Sequence, residues 1–118
     1  MPERDAVIDP ILLGASERGH RLFRNNSGMA FHKDGSVVRY GVGSPGGSDI
    51  LGWTRMTIRP EHVGSQLAVF TAIEAKTGTQ RPNNDQRRFL EMVGRSGGIA
   101  LWGTDPLEIL RQLDLRQE

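Results

Sequence analysis

Apolar residues recur every three or four positions in the first part of the chain, the spacing that places them on one side of an α-helix. The pattern predicts a first helix over about residues 9–24, with Asp9 as its N-cap and Pro10 at its first helical position. Arg21 and Arg24 lie away from the apolar stripe and are expected to be exposed. The stripe consists of Ile11, Leu12, Ala15, Gly19, Leu22 and Phe23.

Shorter apolar runs follow, and they predict β-strands. Residues 29–32 and 37–41 suit a hairpin around the turn Lys33-Asp34-Gly35-Ser36. Residues 49–57 are a further strand candidate, which comes after a glycine-rich turn. Residues 66–76 are the longest candidate, and their nearly continuous apolar middle is expected for a central strand covered on both faces.

The last part of the chain alternates between helix and strand. Asn83 or Asn84 can cap a helix of about residues 85–96, whose end is marked by two glycines. Residues 99–102 suit a short strand, and Asp105-Pro106 opens a final helix.

The predicted order of elements is α-β-β-β-β-α-β-α, an α/β fold with a mixed β-sheet flanked by helices. At 118 residues and 13.1 kDa, the chain 1–118 is expected to form one domain. The 36% hydrophobic and 25% charged content is typical of a globular protein, and no apolar run reaches the roughly 20 residues of a membrane span. Cysteine is absent, which excludes disulfides and thiolate metal sites, and no signal-peptide pattern is seen. A cytoplasmic protein with no membrane partner is expected.

The net charge of +1 neither requires nor excludes a nucleic acid partner. Only Lys33 and Lys76 are lysines, and every other basic residue is arginine. Arginine's planar group suits phosphate oxygens, although an arginine-rich coding bias would give the same composition.

Two opposite charges interrupt the longest strand candidate. Glu74 and Lys76 lie two positions apart, so they share one face of a strand, while Ile73 and Ala75 face the other way. Isolating such charges is costly unless they meet water, each other or a metal ion. Asp49 follows the glycine-rich turn upstream, and together these residues form Asp…Glu-x-Lys, the minimum set for metal-dependent phosphodiester hydrolysis.

This residue set suits a hard divalent cation. Mg²⁺ and Mn²⁺ bind oxygen ligands, polarise a phosphoryl oxygen and lower the pKa of water. Asp49 and Glu74 can supply two carboxylates if their strands are neighbours, and the backbone carbonyl of Ala75 can supply a third ligand. Lys76 can then hold the attacking water and offset negative charge on the phosphate.

Each of these residues also has an ordinary structural interpretation. An aspartate after a glycine-rich turn is usually a turn or capping residue, and Glu-x-Lys on a strand is usually a solvated face with a weak ion pair. Gln86 shares the inward helix face with Phe89 and Leu90. From a helix start it can orient Lys76 or contact a phosphate, but ordinary first-turn placement is the alternative.

Several short segments between about Ser16 and Pro106 resemble motifs of a known protein family and occur in the same order as in that family. They are residues 21–28, 39–41, 47–52 and 72–78, Gln86 with Phe89, and residues 97–100. In this order they resemble the virus-type replication-repair nuclease (VRR-NUC) family of the PD-(D/E)xK superfamily, and especially its small stand-alone phage or prophage members. The resemblance implies a restriction-endonuclease-like core and a hydrolase that acts on ester bonds in DNA.

The resemblance also implies roles for individual residues. Asp49 and Glu74 are implied as metal ligands, Lys76 as the catalytic lysine and Gln86 as the additional glutamine of the family. All four are expected to be catalytic residues. For the first-helix glutamate that often adds to the metal site, Glu3 is preferred over Glu17, which is expected to pair with Arg21 on the surface. Arg24 and Asn25 match the arginine-asparagine pair of the family, which is expected to contact DNA or the edge of the site. Together with Arg21 and Arg81 they are the candidate DNA contacts.

Finally, the resemblance implies a homodimer that acts on four-way (Holliday) or other branched DNA, in a bacterial or phage-infected host cell. Two sites related by a twofold axis can nick two symmetric strands. Two other functions remain open: a restriction-like nuclease that cuts a defined duplex sequence, and a non-catalytic module that binds branched DNA. A purely structural domain is the last alternative.

Overall fold

The computed structural model describes residues 2–43 and 46–116, with side chains from Asp5 onward. The chain divides into two compact units, Met1–Arg59 and Pro60–Glu118. Both units combine helices with short strands, so the fold is a mixed α/β fold, as predicted. The expectation that residues 1–118 act as one domain stays a prediction.

The N-terminal unit contains one helix followed by four strands in its described residues. Helix α1 (Pro2–Glu17) packs against β1 (Arg21–Arg24), and β1 pairs antiparallel with β4 (Ile50–Trp53). Between them, β2 (Gly28–Phe31) and β3 (Val37–Tyr40) form the predicted hairpin, also antiparallel.

A small core lies between α1 and the β1–β4 ladder. Ile8 and Ala15 of α1 are buried. Phe23 and Trp53 lie on the ladder with their ring centroids 5.8 Å apart in an edge-to-face arrangement, a geometry that aromatic pairs favour. This core holds the helix against β1, which carries Arg24, and β4, which Asp49 directly precedes.

The first helix begins earlier than predicted. It starts at Pro2 and continues through Pro10, so Asp9 is inside the helix and is not its N-cap. Proline suits the first turn because its φ is fixed and its missing N–H has no partner there anyway. The sequence offers two prolines for that position, and the structure uses the first.

The same helix also ends earlier than predicted. Gly19 adopts a φ of +84°, and the N–H of His20 donates to the carbonyl of Ala15 at 3.0 Å. Such a left-handed glycine just beyond the last turn is a common helix stop. Residues 21–24 therefore form β1, because pairing with β4 replaces the helical hydrogen bonds that the apolar spacing suggested.

The C-terminal unit is built on a β-α-β crossover. A short 3₁₀ turn (Pro60–His62) precedes β5 (Thr71–Ala75), and β5 pairs in parallel with β6 (Ile99–Gly103). Helix α2 (Asn84–Arg95) connects the two strands and packs against both, while α3 (Pro106–Leu115) packs against β6.

Both helices of this unit begin where the sequence predicts. The Asn83 side chain caps α2, and Asp105 caps α3 by accepting the N–H of Leu107 at 3.1 Å. Val93 of α2 is almost completely buried. In the described part of the chain, no helix has both the length and the apolar character needed to cross a membrane.

The strands differ from the predicted mixed sheet in their pairing. Across the described residues they form three two-stranded ladders, two antiparallel and one parallel. Five strands precede α2 where four were predicted, because β1 was assigned to the helix. Within the two units, β4 pairs with β1 and β5 pairs with β6.

Strand β5 is also shorter than its apolar run suggested. Residues 66–70 are outside it, and its alternate residues Thr71, Ile73 and Ala75 are exposed. The expectation of a central strand covered on both faces is therefore wrong. A continuous apolar run does not by itself show that two layers cover a strand.

Candidate active site

The ladder between β5 and β6 positions Glu74 and Lys76. The N–H of Lys76 donates to the carbonyl of Gly103 at 2.9 Å, so the extended backbone continues one residue beyond β5. Strand alternation then directs both charged side chains to the same side, as predicted. Lys76 Nζ lies 3.4 Å from Glu74 Oε2.

This ion pair is more enclosed than a typical surface pair. The side chains of Lys76 and Glu74 are 17% and 30% exposed. A fully solvated pair contributes only about 0.2–1 kcal/mol, whereas removing one partner of a covered pair leaves a poorly solvated charge. The interpretation as a solvated strand face therefore does not describe these two residues.

A cleft of about 390 Å³ lies beside Glu74, between β5 and α2. Ala72, Phe89 and Leu90 contribute apolar surface, and Glu74 and Gln86 contribute polar groups. An apolar cleft with a few polar groups is typical of a ligand-binding site. Gln86 faces the same space as Phe89 and Leu90, as its helical spacing predicted.

Gln86 also has a structural role that its position makes possible. Its Oε1 accepts the N–H of Asn83 at 2.9 Å, and its own N–H donates to Asn83 Oδ1 at 2.8 Å, which forms a reciprocal capping box. Gln86 therefore stabilises the first turn of α2, which is the ordinary structural role that the sequence left open. The capping box does not use the Nε2 group of Gln86, so this group can donate to a molecule in the cleft.

The backbone carbonyl of Ala75 is not used by the β5–β6 ladder. Backbone groups of consecutive residues in a strand point to opposite edges. The carbonyl of Phe70 accepts from Ile99 at 2.9 Å and the N–H of Lys76 donates to Gly103, so these two residues, an even number of positions apart, both bond to β6. Ala75 is an odd number of positions from both, so its carbonyl points to the other edge of β5. That carbonyl is therefore available as a metal ligand.

Asp49 lies in the N-terminal unit, directly before β4. Its carbonyl accepts the N–H of Asn25 at 2.8 Å, which extends the β1–β4 ladder by one residue pair. Its side chain is exposed and lines a small polar cleft of about 100 Å³ together with Arg24 and Asn25. Three residues that the family resemblance singled out therefore meet in this unit.

The predicted catalytic residues thus form two groups, with Asp49 in one unit and Glu74, Lys76 and Gln86 in the other. Among the described side chains, no three Asp, Glu, His or Cys residues are arranged to hold a metal. The predicted donor set needs only two carboxylates and one carbonyl. Mg²⁺ usually takes one or two carboxylates and keeps several waters, so these oxygen donors are of the chemical type that such an ion prefers.

Arg24 is engaged by two carboxylates of α1. Its guanidinium donates to Asp5 at 2.9 Å and to Asp9 at 3.0 Å, and the hydrogen bond with Asp5, followed by that with Asp9, raises the pKa of Arg24. Sequence reasoning missed both partners because it placed Asp9 at a helix cap. Their i, i+4 spacing, which puts them on one helix face, is the signal that points to them.

The other candidate residues are placed less specifically. Arg21 and Arg81 are exposed, in β1 and in the loop before α2. Glu17 ends α1 and Arg21 starts β1, so the helical spacing expected to pair them does not exist. The side chain of Glu3 lies outside the described residues.

A comparison with known protein families identifies the family of this chain. The family model described as VRR-NUC domain matches residues 16–101. This span includes the candidate residues Asp49, Glu74, Lys76 and Gln86 and begins after Glu3. No curated protein and no solved structure matches the chain.

Proposed function

This chain belongs to the VRR-NUC nuclease family, and we propose that it is a Mg²⁺- or Mn²⁺-dependent endonuclease that cuts four-way (Holliday) or other branched DNA. The family match supports nuclease activity in general. The observation that carries the finer proposal is the Glu74–Lys76 pair, held on one side of β5 beside the cleft that Gln86 lines. A restriction-endonuclease-like arrangement of the core is part of this proposal.

Each residue has a distinct task in the proposed reaction. Asp49, Glu74 and the carbonyl of Ala75 would hold the divalent ion, which when bound supplies Lewis acidity toward a phosphoryl oxygen. The ammonium of Lys76 donates hydrogen bonds to the attacking water and stabilises negative charge that builds on the phosphate. The Nε2 group of Gln86 donates to a phosphate oxygen or to the water from the cleft side.

The proposed substrate and assembly follow from the chemistry of a junction. One set of catalytic residues cuts one strand, whereas resolving a four-way junction requires two symmetric cuts, so a homodimer is proposed. The exposed Arg21 and Arg81 are candidate contacts to DNA phosphates. Contacts of this kind recognise the shape and backbone of DNA and carry no base sequence.

The proposal is tested with a matched pair of glutamate variants in the C-terminal unit. Glu74→Gln removes the candidate metal ligand, while Glu91→Gln removes an exposed carboxylate on α2. We expect Glu74→Gln to slow cleavage of a synthetic four-way junction by about 100-fold or more. Glu91→Gln is expected to cut at the wild-type rate, and circular dichroism checks that both variants are folded.

The same assay, run with Mg²⁺, Mn²⁺ or chelator, separates the other functions. Wild-type cleavage by Glu74→Gln would show that the catalytic assignment is wrong. Equal cutting of a linear duplex of the same sequence would exclude structure specificity. Salt-sensitive junction binding without product under any divalent ion would indicate a non-catalytic binding module.

A further inference from the structure

Asn25, directly beyond the end of β1, makes four hydrogen bonds to the backbone around the glycine-rich segment. Its Nδ2 group donates to the carbonyl of Val42 at 2.8 Å and to that of Ser48 at 3.0 Å, and its Oδ1 accepts the N–H of Val42 at 3.0 Å. Its own backbone N–H donates to the carbonyl of Asp49 at 2.8 Å. One residue therefore holds both sides of the glycine-rich segment that leads into Asp49.

The backbone is closely packed around this amide. A side-chain carbon added at Gly47 would lie 2.0 Å from the carbonyl oxygen of Val42 and 3.2 Å from Asn25 Nδ2. Only glycine fits where the chain passes these groups. Glycine is also the residue that loses most conformational freedom on ordering, so such a segment needs specific contacts to hold one conformation.

These contacts use nearly all the hydrogen-bonding capacity of the Asn25 side chain. An asparagine amide has two donor hydrogens and one acceptor oxygen with two lone pairs. Both donors and one lone pair of Asn25 are already bonded to the backbone at Val42 and Ser48. Contact with a DNA phosphate through the donors would require these bonds to break.

We propose that Asn25 is a positioning residue, which holds the backbone at Asp49 so that this carboxylate is directed toward the divalent ion. The proposal rests on the proposed nuclease function, because it assigns Asp49 to the metal. This positioning role replaces the contact with DNA that the sequence suggested for Asn25. Asn25 and Asp49 line the same polar cleft. Its consequence is that losing the amide weakens the binding of metal and leaves the binding of DNA unchanged.

The test compares Asn25→Ala with Asn26→Ala, the exposed neighbour that lines the same cleft. Binding of Mn²⁺ to the DNA-free protein is measured by the electron paramagnetic resonance signal of the free ion. Junction affinity is measured separately by fluorescence anisotropy in chelator. We expect Asn25→Ala to weaken Mn²⁺ binding about tenfold or more, with junction affinity within twofold of wild type and partial recovery of cleavage at high Mn²⁺. Asn26→Ala is expected to match wild type in both measurements.

The outcomes separate this proposal from the one it rests on. Wild-type Mn²⁺ affinity in Asn25→Ala, while Asp49→Ala loses Mn²⁺ binding and cleavage, overturns the positioning role and leaves the nuclease function intact. Weaker junction binding with unchanged Mn²⁺ affinity overturns it in favour of a DNA contact. Wild-type cleavage by both Asp49→Ala and Glu74→Gln would instead overturn the nuclease assignment.

A measurement on the wild-type protein keeps the proposal testable if Asn25→Ala does not fold. The side-chain NH₂ resonances of Asn25 are followed in ¹⁵N-correlated NMR spectra. We expect them to shift when Mg²⁺ is added and to stay in place when junction DNA is added in chelator. A shift with DNA alone, together with none on adding Mg²⁺, overturns the proposal.

Discussion

Single substitutions at Asn83 and Gln86 separate helix capping from the proposed catalytic role of Gln86. Asn83→Ala removes the acceptor of the Gln86 N–H, a bond of 2.8 Å, and Gln86→Ala removes the acceptor of the Asn83 N–H, a bond of 2.9 Å. Loss of such a capping bond costs about 1 kcal/mol. The two variants are therefore expected to be destabilised by similar amounts.

The size of the effect on melting temperature follows from chain length. An unfolding entropy of about 2.1 cal/mol/K per residue gives roughly 0.25 kcal/mol/K for 118 residues that unfold together. A loss of about 1 kcal/mol then lowers Tm by about 4 °C. Thermal melts followed by circular dichroism check this value, and both variants stay folded at 25 °C.

Cleavage rates then distinguish the two residues. Under single-turnover conditions at 25 °C, Asn83→Ala is expected to cut a four-way junction within twofold of wild type. Gln86→Ala is expected to be about tenfold slower or more, because it also removes the Nε2 donor from the cleft. Each variant loses one of the two hydrogen bonds of the capping box, and only Gln86→Ala also loses the Nε2 donor.

A third variant, Gln86→Glu, makes the result sharper. Glutamate retains an oxygen that can accept the Asn83 N–H, so the capping box survives, but the donor to the cleft is lost. We expect a Tm equal to or above that of wild type together with a slow reaction. If Gln86→Glu and Asn83→Ala both cut at the wild-type rate, Gln86 acts only as a cap and its catalytic assignment is wrong.

Two further predictions concern stability. Gly52→Ala would place a side-chain carbon 2.1 Å from the carbonyl oxygen of Arg21. We therefore expect the free energy of unfolding, measured in urea, to fall by about 1–3 kcal/mol. Gly94→Ala is the control, because a carbon added there meets no atom within 4 Å, and it should be neutral or stabilising. A hydrogen bond from Arg111 lowers the pKa of Glu108 from 4.5 to about 2, so the stabilisation it gives is present above pH 4.5 and is lost as the pH falls through about 2. The urea midpoints of wild type and Glu108→Gln should therefore differ at pH 6, approach each other as the pH falls from 4.5 and coincide near pH 2. A difference that does not change with pH would contradict this assignment.

Structural features that depend only on residues close together in the sequence could be predicted correctly. Asn83 and Asp105 cap the helices expected of them. The hairpin turn lies where its glycine suggests. Glu74 and Lys76 share a side of their strand because alternation follows from backbone geometry alone. Each of these depends on neighbours in the chain and on no distant partner.

The end of the first helix could not be predicted from the local sequence pattern. The apolar spacing of residues 9–24 satisfies a helix, yet residues 21–24 pair with β4. The two segments are far apart in the chain, and no local propensity encodes their meeting. The same is true of the predicted mixed sheet, whose strands pair as three separate ladders.

By itself, the sequence determined the residue types of the candidate site, their order and the family to which the chain belongs. Only the tertiary structure showed that Arg24 pairs with Asp5 and Asp9, and that Asn25 bonds to the backbone at Ser48 and Asp49. These partners lie 15 or more positions apart. Their hydrogen bonds depend on where α1, β1 and β4 pack against one another, which the energetics of any single segment do not specify.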